Sequence, residues 1–170
     1  LLLLTTITIL AYSLSTYTFK IAGVSLTYSI FLLPVLYLIA NYITKKYCCE
    51  KAVLAIVISS ISIVIFTLIM NFAMGKSTSI SIFTGSFCAL VVSHLVNLLI
   101  YRFLNSNTEA PLLLVLLNYM FALVTFYAFY TLIYLNMIIL DNYWLGYFIT
   151  LVIQTIMCIG LAYLDKKIKL

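Results

Sequence analysis

The sequence alternates between long apolar stretches and short polar gaps, and the length of the stretches matches the thickness of a lipid bilayer. A helix that crosses the hydrocarbon core needs about 20 mostly apolar residues. Because lipid supplies no hydrogen bonds, only helices and closed barrels cross it, and the alternation typical of strands is absent here. We therefore predict one all-α, polytopic transmembrane domain over residues 1–170, without strands and with about six transmembrane helices. The predicted spans are Leu1–Phe19, Leu26–Ile43, Val53–Phe72, Ile80–Leu104, Leu112–Asn136 and Tyr143–Leu164.

The composition excludes a water-soluble globule. Hydrophobic residues make up 66% of the chain, charged residues 8%, and the mean hydropathy is +1.25. A soluble domain carries about 25% charged residues because its surface faces water. The net charge of +5 does not indicate a nucleic-acid partner, since the basic residues are confined to the gaps between apolar stretches. The predicted environment of the chain is therefore the lipid bilayer.

The basic residues predict the orientation of the spans. Lys20 and Lys76 fall in gaps on one side, and the other seven fall on the opposite side, which the positive-inside rule assigns to the cytoplasm. Six spans then place both termini in the cytoplasm, and we predict a multi-pass protein of the inner (cytoplasmic) membrane. Residue 1 is leucine rather than methionine, so further residues before it are left open. The seven are Lys45, Lys46, Lys51, Arg102, Lys166, Lys167 and Lys169.

The reactive residue types argue against catalysis. There is one histidine, and the predicted spans contain neither an acid nor an interior lysine, so neither a catalytic triad nor a multi-histidine metal site can be built. Gly75-Lys76-Ser77-Thr78 imitates the end of a P-loop, but Met70 stands where the first glycine belongs. We expect no enzyme activity, no metal and no cofactor. The cysteines lack metal-ligand spacing and are predicted to be free thiols: Cys48, Cys49, Cys88 and Cys158.

Polar side chains inside the spans are the candidates for function. In the fourth span, Ser93, His94 and Asn97 lie within about one helical turn, which predicts either a binding cavity or hydrogen bonds that hold helices together. In the second span, Tyr37 and Asn41 share a stripe with Pro34, where a kink could free a backbone carbonyl. Tyrosines near span ends are interpreted as anchors at the membrane interface, together with Trp144: Tyr42, Tyr101, Tyr143 and Tyr147.

The last two predicted spans add amide and aromatic groups. Asn118, Phe121, Thr125 and Phe129 are predicted on one face of the fifth helix. A second face, on the sixth helix, is predicted from Tyr147, Thr150, Gln154 and Cys158. An amide beside an aromatic ring suits a flat heteroaromatic ligand, although plain packing gives the same pattern. The predicted substrate-binding residues are Tyr37, Asn41, Ser93, His94, Asn97, Asn118, Phe121 and Gln154.

Three segments, in this order, resemble one known family. Residues 31–47 read FLLPVLYLIANYITKKY and are followed by KAVLAI at 51–56. Residues 85–104 read GSFCALVVSHLVNLLIYRFL, and Gln154-Thr155 precedes YLDKK at 163–167. Together these segments are similar to the queuosine-precursor transporter (VUT) family. The resemblance implies a six-helix importer of a 7-deazapurine such as preQ0 or preQ1, bound among the second, fourth, fifth and sixth helices.

The chain differs from the family's pattern at several polar positions. Asn41 and Lys45 stand where the family has Asp and Glu, and His94 and Asn97 replace a Gln-Asp pair. Ile156 occupies the place of a proline. The missing acids argue against proton coupling and extend the expected ligands to related small, flat nitrogen heterocycles.

Two other functions fit the same features. A substrate-binding S-component of an energy-coupling-factor vitamin importer has a similar size and helix count, and it would associate with coupling subunits. A non-transporting membrane scaffold would use its polar residues only to join helices. A homo-oligomer and association with coupling subunits are both left open, and no nucleic-acid partner is expected.

Overall fold

Helices account for most of the structure, a computed structural model that describes residues 1–14, 17–21, 23–75, 80–105, 112–134 and 143–167. The predicted all-α, polytopic architecture is confirmed. A short 3-10 helix, Tyr28–Phe31, leads into the second long helix. The other elements are α1 (Leu2–Leu14), β1 (Thr18–Ile21), β2 (Val24–Thr27), α2 (Leu33–Tyr47), α3 (Cys49–Met74), α4 (Ile80–Asn105), α5 (Leu112–Tyr134) and α6 (Tyr143–Lys167).

Five helical segments, rather than the predicted six, are long and apolar enough to cross a membrane in the part of the chain that the structure describes. Helix α1 is apolar but has only 13 residues. It ends at Leu14, whereas the predicted first span ran to Phe19. Residues 135 and 136 of the predicted fifth span lie outside the described residues. The five segments are Tyr28–Tyr47, Cys49–Ala73, Phe83–Phe103, Leu112–Tyr130 and Leu145–Asp165.

A β-hairpin lies where the first predicted span ends and the second begins. Strand β1 pairs antiparallel with β2, with Thr18 opposite Thr27 and Ile21 opposite Val24. Gly23 supplies the left-handed backbone of the turn, with a φ of 80°. The strands are rich in β-branched residues, which suit extended backbone. The prediction of a strand-free chain, and of a second span beginning at Leu26, was therefore wrong.

The connection between α2 and α3 is much tighter than the nine-residue gap, 44–52, between the second and third predicted spans. Within residues 33–74, Cys48 alone lies outside the helices, and its φ of 103° is positive. Its backbone N–H donates to the carbonyl of Thr44 at 3.1 Å and closes the end of α2. Pro34 lies in the first turn of α2, where a missing N–H costs nothing, so the predicted mid-helix kink does not occur.

The carboxyl ends of three helices meet at one end of the bundle. Lys45 Nζ, on α2, donates to the backbone carbonyl of Asp165, on α6, at 3.2 Å. Tyr101, on α4, donates to Asp165 Oδ1 at 3.3 Å. We call this the lysine-rich end, because several cations that the sequence predicted on one side of the membrane lie near it. Lys169, predicted on the same side, and Lys76, predicted on the other, lie outside the described residues. The cations near this end are Lys45, Lys46, Lys51, Arg102 and Lys167.

Helix α2 lies between two apolar cores, one shared with α1, α3 and α4 and the other with α5 and α6. Alanines line both cores, which lets the backbones approach closely, as in membrane bundles. Large apolar side chains, such as Phe72, Phe103 and Phe148, cover the outside of the bundle. The first core comprises Leu4, Leu36, Ala40, Ile43, Ala52, Ala55, Ile56 and Leu98. The second comprises Leu33, Tyr37, Val115, Tyr119, Ala122, Leu123, Cys158 and Ala162.

Candidate functional site

Three asparagine side chains form a hydrogen-bonded chain across the bundle, which we call the amide ladder. Asn118 Nδ2, on α5, donates to Asn97 Oδ1, on α4, at 2.9 Å. Asn97 Nδ2 in turn donates to Asn41 Oδ1, on α2, at 2.7 Å. All three side chains are completely buried. The ladder therefore ties three helices together inside the protein.

The ladder leaves one polar atom over at each end. Asn41 Nδ2 and Asn118 Oδ1 are buried and have no hydrogen-bond partner among the described residues. A buried polar group without a partner costs about 1–3 kcal/mol. Because every donor points from Asn118 toward Asn41, the ladder has a direction, with a free donor at one end and a free acceptor at the other.

The donor end of the ladder faces a buried carboxylate. Asp165 is 3% exposed, and the side chains of Asn41 and Tyr119 lie close enough to interact with its carboxylate. Within the described part of the chain, however, Asp165 Oδ2 and Tyr119 Oη make no well-formed hydrogen bond. Three buried polar side chains, from α2, α5 and α6, thus lie together, and each has a polar atom without a well-formed hydrogen bond among the described residues. We call this set the carboxylate cluster: Asn41, Tyr119 and Asp165.

Asp165 corrects the prediction that no acid is buried in a span. It lies one residue beyond Leu164, where the sixth span was predicted to end, and α6 continues through it. Its spacing gave a usable signal, since it continues the buried face formed by Gln154, Cys158 and Ala162. Tyr101, predicted as an interface anchor, is also buried because it donates to this carboxylate.

Tyr37 and His94 meet in the interior, one turn away from the ladder residues on their own helices. Their rings pack edge to face, with centroids 5.0 Å apart and planes at 74°. Tyr37 Oη donates to the backbone carbonyl of Ala122 at 3.4 Å, and Ser93 Oγ donates to the carbonyl of Leu90 at 3.0 Å. His94 Nδ1 is buried without a hydrogen-bond partner in the described part of the chain.

His94 also lines a crevice between α1, α3 and α4. The crevice is too narrow to admit a water molecule. Two of its hydroxyls bond within their own helices, Thr8 to the carbonyl of Leu4 at 2.6 Å and Ser59 to that of Ala55 at 2.7 Å. The interior beside His94 is therefore tightly packed. The crevice is lined by Leu4, Thr8, Ile56, Ser59, Ser60, Leu90 and His94.

Gln154 is buried toward the hairpin end of the bundle rather than in the ladder. Its Nε2 donates to the backbone carbonyl of Ile30 at 2.9 Å, linking α6 to the 3-10 helix. Its Oε1 has no hydrogen-bond partner within the described ranges. Thr150 and Cys158 are buried on the same face of α6, as the sequence predicted.

Phe121 does not join the other predicted site residues. Its side chain is 59% exposed on the outer surface of the bundle. The buried stripe of α5 instead runs through Val115, Asn118, Tyr119 and Ala122, so its centre lies on the other side of Asn118. Tyr119, which the sequence did not single out, therefore lies with Asn118 on the buried face in place of Phe121.

No family model matches the sequence, and no curated protein or solved structure matches it either. The resemblance to the queuosine-precursor transporter family therefore stays a prediction.

Proposed function

We propose that this chain is a membrane transporter for a small, flat, nitrogen-containing solute. The binding region would comprise the amide ladder with Tyr37 and His94. The observation that carries the proposal is the pair of buried polar atoms that lack a partner among the described residues and do not face Asp165: Asn118 Oδ1 and His94 Nδ1. A bundle that served only as a scaffold would gain stability by replacing or pairing such groups.

The chemistry of these groups defines the solute. Each asparagine offers an acceptor and a donor, and a neutral imidazole offers one of each. A nitrogen heterocycle presents the complementary pattern along one edge, and its flat face suits the ring of Tyr37. The first candidates are 7-deazapurines such as preQ0 and preQ1, on the strength of the sequence resemblance. Purines follow because they share the same kind of edge.

The same proposal assigns the lysine-rich end to the cytoplasm of an inner-membrane protein. Basic residues favour the cytoplasmic side, and Lys45, Arg102 and Lys167 all lie near the ends of helices there. The amide ladder lies in the half of the bundle nearest that end, since Asn118 is in the second turn of α5. The solute would therefore bind closer to the cytoplasm than to the hairpin.

A stable, non-transporting scaffold is the second candidate, favoured by the two hydrogen bonds that already satisfy Asn97 within the bundle. Thermal unfolding of the detergent-purified protein with preQ0, preQ1, guanine, adenine and a panel of vitamins separates the two. A ligand at about 100 times its Kd stabilises the folded state by about 2.7 kcal/mol.

A transporter for a heterocycle predicts stabilisation by a deazapurine or purine, followed by uptake of the same compound into cells that express the protein. Stabilisation only by a vitamin, with an ATPase that co-purifies, would identify a coupling-factor S-component instead. A folded protein that no compound in the panel stabilises would contradict the transporter and support the scaffold.

A further inference from the structure

We propose that Asp165 binds a proton, and that the amide ladder transmits its charge state to Asn118 by reversing the direction of its hydrogen bonds. This proposal deepens the proposed function, and its consequence for solute binding rests on that function. The proton site and the reversal themselves need no solute. The proton site is the carboxylate cluster, and the reversal involves the two ladder bonds.

The carboxylate has one oxygen engaged and one available. Asp165 Oδ1 accepts from Tyr101, while Oδ2 is buried without a well-formed hydrogen bond among the described residues. The groups that face it are Lys45 from α2, Tyr101 from α4 and Tyr119 from α5. On its own helix, Lys167 is exposed. An ionisable side chain buried in a span is costly and marks a proton or ion site more often than a structural one.

Protonation changes what this carboxyl group can do. A charged carboxylate only accepts hydrogen bonds, whereas the protonated form also donates one. The new O–H bond forms at Oδ2, with a proton taken from water at the lysine-rich end and returned there. The nearest ladder residue is Asn41, which presents its Nδ2 donor to the cluster in this structure. A donor at this position suits the charged form of Asp165, and an acceptor there would suit the protonated form.

The ladder has a second arrangement with the same heavy-atom positions. If each side-chain amide turns over, its nitrogen and oxygen exchange places and the backbone does not move. Asn41 Nδ2 then donates to Asn97 Oδ1, and Asn97 Nδ2 donates to Asn118 Oδ1, across the separations now seen at 2.7 and 2.9 Å. Since each amide has one donor group and one acceptor, turning one forces the others to follow.

The two arrangements present opposite chemistry at both ends. With Asp165 charged, Asn41 offers a donor to the carboxylate and Asn118 offers its Oδ1 acceptor. With Asp165 protonated, Asn41 offers an acceptor to the new O–H group, and Asn118 offers a donor. A solute that contacts Asn118 therefore binds one protonation state more tightly than the other. By linkage, solute and proton change each other's affinity by the same factor.

The test is an infrared pH titration of the purified protein in detergent, with no solute, using carbon-13 labels on the side-chain carbonyls of aspartate and asparagine. The chain contains two aspartates, Asp141 and Asp165. We expect a protonated carboxyl band to appear as the pH is lowered, together with a shift of the asparagine carbonyl band. The titration is run in an Asp141→Asn background, where Asp165 is the one aspartate left in the chain; both signals should be present there and vanish when Asp165→Asn is added. Asp165→Glu, which keeps a titratable group but not the labelled aspartate, should restore the asparagine shift alone.

The ladder itself is tested by Asn97→Leu. This change should leave the carboxyl band in place and reduce the asparagine shift, because Asn118 is then disconnected from Asn41. An Asp141→Asn protein whose remaining aspartate does not titrate, or whose titration leaves the asparagine band unchanged, would overturn the relay. Persistence of the carboxyl signal after Asp165→Asn is added would do the same. If both signals are present and no heterocycle binds, the proposed function fails and the relay stands.

Discussion

Asn97 and Asn41, 56 residues apart in the sequence, are joined side chain to side chain by a hydrogen bond of 2.7 Å between α4 and α2. Neither side chain is exposed. Inside a bilayer such a bond is worth about 0.6–2 kcal/mol, so it contributes modestly to stability. It matters more because it makes Asn97 the central member of the ladder, bonded on both sides.

Replacement of that central residue is expected to cost both stability and function. Asn97→Leu removes two hydrogen bonds and leaves Asn41 Oδ1 and Asn118 Nδ2 buried without partners, so we expect the free energy of unfolding to fall by about 2 kcal/mol. Uptake of the solute should be abolished while the protein still inserts into the membrane. Thermal unfolding and cellular uptake measure the two effects. Leu99→Ala, at a position that is 67% exposed on the same helix, is the control, and equal losses in both variants would contradict the role of the ladder.

Tyr37 is expected to be far more sensitive than the equally aromatic Phe121. Tyr37→Ala empties a fully buried site against His94 and should lower the free energy of unfolding by about 3–5 kcal/mol. Tyr37→Phe keeps the ring contact and loses only the hydroxyl bond to Ala122, so it should cost about 1 kcal/mol. Phe121→Ala should change stability by less than about 0.5 kcal/mol, as exposed positions do. Chemical or thermal denaturation in one detergent checks the order, and a large effect of Phe121→Ala would contradict the described packing.

The backbone at Cys48 predicts a stabilising substitution. Cys48 has a φ of 103° and a ψ of 164°, a backbone conformation that is almost confined to glycine and costs another residue about 1–3 kcal/mol. Cys48→Gly should therefore raise the free energy of unfolding by up to about 1 kcal/mol, measured as a higher melting temperature. Cys49→Gly is the matched control, because Cys49 begins α3 and should gain nothing. A lower melting temperature for Cys48→Gly would show that this turn is not strained.

The exposed thiol of Cys48 provides a direct test of orientation. Cys48 is a free cysteine at the lysine-rich end. In a variant that keeps only this cysteine, a membrane-impermeant maleimide should label inside-out vesicles and leave intact cells unlabelled. A second variant whose single cysteine replaces Ser25, exposed on β2, should give the opposite pattern. Labelling of Cys48 from outside the cell would reverse the proposed topology.

The helices could be predicted from the sequence because the length of an apolar stretch is a local property. The hairpin could not, since four-residue strands on either side of Gly23 are hidden within apolar surroundings. The predicted sixth span ends at its last apolar residue, Leu164, so Asp165 falls just outside it. In the structure α6 continues, and Lys45 and Tyr101 arrive from other helices to surround Asp165.

The site was predictable as a set of residue types but not as a set of pairs. Buried amides must find partners in lipid, which is why Asn41, Asn97 and Asn118 could be singled out one by one. Which amide meets which depends on the rotation of each helix about its axis, and that is determined by the packing of the whole bundle. The same rotation turns Phe121 outward and brings Tyr119 inward.

The single-residue connection at Cys48 also limits how far α2 and α3 can move apart. Because α1 packs on both helices through Leu4, we expect these three helices to move together. Any motion of this unit relative to the rest of the bundle would have to break the hydrogen bonds from Asn97 to Asn41 and from Lys45 to Asp165.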